Sequence, residues 1–384
     1  MKLRTRALGV CLLATLAAAA AIGSGTAAAA TSPVVGHVYV NDDTAGTNTI
    51  AGFNRHADGT LTPMTGSPFA AGGAGAGSGL ASQGALQVAA GGRLLLAVDP
   101  GSNQISVLRI GAGGALTPIS GGVVSSRGIQ PVSIAVHGSL VYVANAGNGG
   151  SNYTGFRLGQ FGHLRHLRGS TVSLPDGSQP GDVLFNSTGT NLAGTRVGTS
   201  LIDSFRVTST GRLAAAPGSP YAAQGPGPFG SEFRPTNPHQ LFVSNAHGGA
   251  NVGTVSAFAV AGNGALSSIG SSPFPDLQTA PCWVEISHDG NYLFAVNTAV
   301  PSISRYRIAA GGSLTLLGST VFNLPTGLGP LDARLAPDGK TLWVVDSGAA
   351  KVSGFRVNGG NLTELGSSPT ALPAGATAFG IVVT

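Results

Sequence analysis

An apolar run, mostly closed by Asn or Asp, recurs seven times along the chain, and this repetition limits the possible folds more than any other feature. The runs start near His37, Leu94, Leu140, Leu192, Leu241, Leu293 and Leu342, a spacing of 46 to 57 residues. Periods of that size belong to propellers and solenoids, where each supersecondary unit buries its faces against its neighbours. A unit carries four short runs, as in "PCWVEIS", "LFAVN", "ISRYRIA" and "LTLLGS" between Pro281 and Ser319. They are rich in β-branched, aromatic and aliphatic residues and are separated by turn residues, the pattern of strands. "HDGN" at His288 and "PDGK" at Pro337 are tight turns, because Asp and Gly tolerate the positive φ these require. After the first thirty residues no stretch holds a 3.6-residue period, so helix is nearly excluded. The expected fold is all-β, with four-stranded propeller blades.

The two ends decide between a ring and an open solenoid. First-strand runs occur as "ALQVAA" at Ala85, "PVSIAV" at Pro131, "PGDVLF" at Pro180, "PFGSEF" at Pro228, "PCWVEI" at Pro281, "PLDARL" at Pro330 and "AFGIVV" at Ala378. The last has nothing after it to pair with. At the other end, "HVYVN" is a second-strand run with no first strand before it. The N-terminal strands and the C-terminal strand can therefore complete one blade, closing a seven-bladed ring and leaving no open edge.

Residues 1–30 stand apart from this pattern. "MKLRTR", an apolar stretch and the small residues before Thr31 have the layout of a secretory signal peptide. The expectation is a leader over 1–30, cleaved close to Ala30, and a single propeller domain over 31–384 outside the cell. The remaining chain has 17 basic and 15 acidic residues, a net charge of +2, without the clustered basic stripe of a nucleic-acid binder. No later stretch has the ~18 consecutive apolar residues of a membrane span. Only Cys282 is left after the leader, so no intrachain disulfide can form, and stability must come from packing. No His, Cys or acidic cluster has metal-ligand spacing, and no cofactor is called for. "AAGGAGAGSGLASQG" from Ala70 lacks the Lys and helix of a phosphate-binding loop. It reads as a flexible loop, like "AAQGPGPFG" at Ala222, and both are expected on the face where second strands end. No G-x-S-x-G supports a serine hydrolase.

The repeat, with "VYVAN" at Val141, "FVSN" at Phe242, "LAPDGKTLWVVDSG" at Leu335 and "VSGFRVNGGNLTELGSSP" at Val352, resembles the YVTN-type repeats of the lactonase family of seven-bladed propellers. That family includes bacterial 6-phosphogluconolactonases and fungal carboxymuconate cyclases. The resemblance implies His, Glu and Arg at the channel mouth, from the starts of first strands and the turns after second strands. Here those positions hold Val-Ser after Pro131, Gly-Asp after Pro180 and Phe-Gly after Pro228, with Ala246 after Asn245 and Thr298 after Asn297. The implied catalytic set is therefore missing or relocated. The favoured reading is a monomeric binding or scaffold protein that takes a small molecule, glycan or protein at the channel mouth. The alternative is a hydrolase or isomerase acting on a lactone or sugar acid.

Few residues offer chemistry. Imidazole is the side chain best suited to general-base work near neutrality, so His247 in its Gly-rich turn is one candidate. His163, His166 and His288 read as surface residues. Asn41, Asp99, Asn145, Asn245, Asn297 and Asp346 read as turn caps. Counting four residues past the opening Pro of each first strand gives Val88, Ala135, Leu184, Glu232, Glu285, Arg334 and Val382, three of them charged and consecutive. Lone charges near the axis would be costly, so Arg334 is expected to pair with Glu285, with Glu232 beside them. Glu232, Glu285 and Arg334 are the remaining catalytic candidates. Asp182, Trp283 and Asp332 share their face toward the mouth and are the expected ligand contacts.

Overall fold

The computed structural model of the protein describes residues 32–80, 82–324 and 329–384; the leader expected over 1–30 lies outside them. Pro33–Thr384 is one compact unit. Its strands form seven antiparallel sheets, six of them laid out in sequence order from an innermost first strand outward. Blade 1 spans 86–125, blade 2 131–173, blade 3 180–222, blade 4 228–275, blade 5 281–321 and blade 6 330–371. Blade 7 is composite: Ile381–Val383 lies innermost, followed by Val34–Asn41, Thr49–His56 and an outer strand. First strands of successive blades touch one another around the ring, and the strand of blade 7 touches those of blades 6 and 1. The described helical structure is three short 3-10 turns.

The ring is closed as the terminal runs require. Val38, Tyr39 and Val40 pair with Val383, Val382 and Ile381. His37 and Thr384 exchange backbone hydrogen bonds at 3.1 and 2.9 Å. Six blades split the fourth strand in two, and in four of them a repeated Ser-Pro falls at the split. The Ser hydroxyl fills the gap in the ladder by accepting a backbone N–H of the third strand, as Ser67 does from Gly52 (2.9 Å) and Ser272 from Ala257 (2.7 Å). Alternate residues of the middle strands pack between blades. Phe53, Phe156, Phe242, Phe294 and Phe355 are all fully or almost fully buried.

One register differs from the sequence count. Glu285 faces Phe294, three residues before the end of its second strand, and Arg334 faces Trp343 likewise. At the same level stand Gln87, opposite Leu96, and Val383, opposite Val38, rather than Val88 and Val382. Those two blades lack an opening Pro from which to count.

Candidate functional site

The channel mouth is not open. Residues Ser82–Gly84, at the end of the long Gly-rich loop, run into the ring and bond to the first strands of five blades. Ser82 Oγ donates to Val132 O (2.6 Å), and Ser82 O accepts from Trp283 Nε1 (2.7 Å). Gln83 donates from its backbone to Gly181 O (3.0 Å) and from Nε2 to Ser231 O (2.8 Å), and its Oε1 accepts from Val284 N (3.1 Å). Gly84 N donates to Asp332 Oδ2 (3.2 Å), and Gly84 O accepts from Ile134 N (2.9 Å). A tripeptide held by blades 2, 3, 4, 5 and 6 lies on the ring axis and stoppers it. Ser82 and Gln83 are 0% and 3% exposed. Gly230 makes room for the plug, because a Cβ there would sit 2.2 Å from Gln83 Oε1. The loop is thus not simply a flexible rim: its last residues fill the channel.

This placement explains Asp182, Trp283 and Asp332. All three are at most 2% exposed and face inward under the plug. Asp182 accepts from Ser133 Oγ (3.2 Å), Ser231 N (3.0 Å) and Ser231 Oγ (2.6 Å), tying blades 2, 3 and 4 together. Asp332 accepts from Ala333 N, Gly84 N and Ile381 N, tying blades 6 and 7 to the plug. Trp283 holds Ser82 and packs against Phe229, ring centroids 5.1 Å apart. The expectation that these three contact a ligand is corrected to this extent: their polar atoms are already bonded within the protein.

Beyond them lie the three charges read from the sequence. Arg334 Nη1 is 3.2 Å from Glu285 Oε2, and Glu285 Oε1 accepts from Leu335 N at 3.0 Å. Glu232 is half-buried and has no hydrogen-bond partner among the described residues. Burial raises the pKa of Glu232 well above the carboxylate range, and the nearby Glu285 raises it further, so the neutral acid is favoured. Burial also raises Glu285, against the opposing pull of Arg334 and the Leu335 N–H. Asp182 is pushed up to about 7, chiefly by burial, with its Ser231 bonds opposing. For Arg334, burial alone would lower the pKa, but Glu285, Asp332, Glu232 and Asp182 together raise it. One guanidinium therefore balances four carboxyl groups.

The second-strand ends are structural. Asp99 accepts from Ser106 (2.5 Å), Asn145 donates to Asn152 (2.9 Å), Asn297 to Ser304 (2.9 Å), and Asp346 accepts from Ser353 (2.6 Å). Each contact joins a residue to the one seven positions later, clamping the second strand to the third. Blade 3 replaces the clamp with an ion pair. Arg196 grips Asp203 through two bonds of 2.6 Å, and Tyr153 of blade 2 adds a third to the same carboxylate (3.1 Å). Sequence reasoning missed this pair, although a charged residue at a position otherwise filled by Asn or Asp was the available signal.

His247 lies exposed beside the plug. It stands on a cleft of about 420 Å³ with Leu80, Val132, Val197 and Phe229 as apolar walls. Gln130, Asn148 and Gln179 add neutral polar groups, and among the described residues no Asp, Glu, Lys or Arg lines the cleft. His163 and His288 are exposed, as expected of surface residues, and His166 is half-buried. Among the described residues, no three His, Cys, Asp or Glu side chains are grouped to hold a metal ion. No described helix is long and apolar enough to cross a membrane.

Seven radial sheets on a stoppered axis, with one blade shared between the chain ends, define a seven-bladed β-propeller. Residues 190–377 match the family described as "Lactonase, 7-bladed beta-propeller". Over that stretch the chain is similar to the lactonase family. A putative 6-phosphogluconolactonase from Bacteroides uniformis superposes with a TM-score of 0.71 at 19% identity, covering 91% of this chain and 99% of the other. The periplasmic gluconolactonase of Pseudomonas aeruginosa gives 0.70 at 17% identity, covering 91% and 99%. Virginiamycin B lyase from Staphylococcus aureus gives 0.52 at 18%, covering 79% and 88%. Likeness at this identity carries the fold and not the activity. None of the curated proteins matches the chain by sequence.

Proposed function

We propose that the protein is a secreted binding propeller that holds a small uncharged, hydroxyl-rich molecule in the cleft beside the plug. One observation carries the reading. The mouth that would admit a substrate to Glu232, Glu285 and Arg334 is filled by Ser82–Gly84, and the polar groups that the described residues offer in the concavity left on that face are neutral amides and His247. A cleft of about 420 Å³ is of small-ligand size, and its amides suit hydroxyls as donors and acceptors. A phosphorylated substrate would need a cation, and no Lys or Arg stands among the described lining residues. His247 favours the second reading, a lactone hydrolase using the imidazole as base.

A panel of sugars and lactones, phosphorylated and not, separates the two. Calorimetry is expected to show saturable binding of uncharged members alone, with lactone opening no faster than in buffer. Turnover that disappears in His247→Ala would replace the binding reading with the enzymatic one. The secretion part has its own check. Mass spectrometry of culture supernatant is expected to find an N-terminus close to Thr31, and cell-bound protein retaining Met1 would overturn it.

A further inference from the structure

We infer that the seam of the ring carries a second binding site, for a small oxyanion, in a cleft of about 500 Å³ between blades 6 and 7. Its anchor is Arg55, whose side chain is only 7% exposed. A guanidinium has five N–H donors. Those of Arg55 find one carbonyl, Val35 O at 3.2 Å, and the Asp338 carboxylate at 4.0 Å, while Nε has no partner. Other buried arginines of this chain are better served. Arg234 donates to Gly290 O, Gln240 Oε1 and Ala309 O at 2.7 to 3.0 Å, and Arg196 holds Asp203 twice at 2.6 Å. Arg55 thus keeps donors unused on the lining of a cavity, where an unmet charged donor is costly.

The rest of the cleft supports an anion. Lys340 and Arg356 stand exposed at its rim, and Trp343 lies buried beneath. Two carboxylates on the lining, Asp338 and Asp58, compete with an anion, but Asp338 is 44% exposed with its Oδ1 committed to the turn through Lys340 N (3.0 Å), and exposed Asp58 accepts from Thr60 N (2.9 Å) and Thr60 Oγ1 (2.7 Å). A phosphate or carboxylate group matches the guanidinium fork and can take the place of that long contact. It would bridge Arg55 of the closing blade to the cations of blade 6, and so would stabilise the folded ring in proportion to its occupancy.

The test uses inorganic phosphate and acetate, each against sodium chloride at equal ionic strength, read by calorimetry and thermal unfolding. The site predicts saturable binding of at least one, with a matching rise in the unfolding midpoint. Arg55→Gln should weaken it at least about tenfold, the worth of a charge-assisted bond. Because Arg55 is buried, two exposed variants keep the test open. Lys340→Gln with Arg356→Gln should weaken binding several-fold without altering the fold. Asp338→Asn, which keeps an acceptor for Lys340 N, should tighten it. A response that does not saturate, or that is the same in the double variant, or weaker binding by Asp338→Asn, would overturn the site. Whichever anion saturates at lower concentration identifies the headgroup.

Discussion

Removing residues 378–384 is expected to abolish soluble, cooperatively folded protein. The segment supplies the innermost strand of blade 7, and Phe379, Ile381, Val382 and Val383 are each at most 8% exposed. Burying such a side chain is worth roughly 1.5–3 kcal/mol, so the four together contribute about 6–12 kcal/mol. The whole stability of a domain is of order 5–15 kcal/mol. The deletion also strips Asp332 of the Ile381 N–H and leaves Val38–Val40 as an unpaired edge beside the axis, a template for aggregation. A permutant separates lost closure from lost sequence. Thr384 is joined to Pro33 through a short loop, and the chain is opened at exposed Gly262, where a Cβ would meet nothing within 4 Å. It keeps every strand pair and should remain a cooperatively unfolding monomer. A truncated chain that stayed monomeric with an unchanged unfolding transition would show that the termini do not close the ring.

The architecture was legible because it is written in short-range chemistry repeated seven times. Turn residues such as Asp289-Gly290 and Asp338-Gly339 fix hairpins locally, and alternation fixes which residues face a neighbouring blade. The Arg334–Glu285 pair was legible for the same reason, since counting from Pro281 and Pro330 aligns the two strands. The same count slipped where no Pro marks the start, at Gln87 and Val383. The plug was not legible. Gln83 bonds to Gly181, Ser231 and Val284, 98 to 201 positions away, in each case to a backbone atom of the partner, which leaves no trace in the partner's residue type. A Gly-rich loop that threads an axis reads like one that hangs in solvent. The unmet donors of Arg55 were likewise invisible, because they depend on what a neighbouring blade fails to supply.

Replacing Arg334 by Ala should destabilise the protein strongly, and more so at alkaline than at acid pH. Among the described residues the guanidinium is the one cation beside Glu232, Glu285, Asp182 and Asp332, and its loss leaves buried carboxylates without compensation. Breaking a buried pair in this way costs about 3–5 kcal/mol. The pH dependence follows from the direction of the carboxyl shifts. A group whose folded pKa lies above its unfolded one contributes stability below the unfolded value and loses it as pH rises through the folded value. Burial raises all four carboxyls, Asp182 to about 7, and Arg334 opposes the rise in Glu232, Glu285 and Asp332. Without Arg334 these groups move higher still. At pH 5 most are neutral in the folded variant and the cost is modest; at pH 8 the folded state must either keep them protonated or hold bare charges. Urea unfolding at the two pH values should therefore show a larger deficit for Arg334→Ala at pH 8. Adding Glu285→Gln should recover part of it, since the amide can still accept from Leu335 N without carrying charge. A deficit equal at both pH values, or no recovery in the double variant, would mean that the cluster is not an electrostatic tie across blades 4, 5 and 6. Intact stability in Arg334→Ala would leave the guanidinium free to serve a ligand reaching it from the channel, which the plug at Ser82–Gly84 argues against.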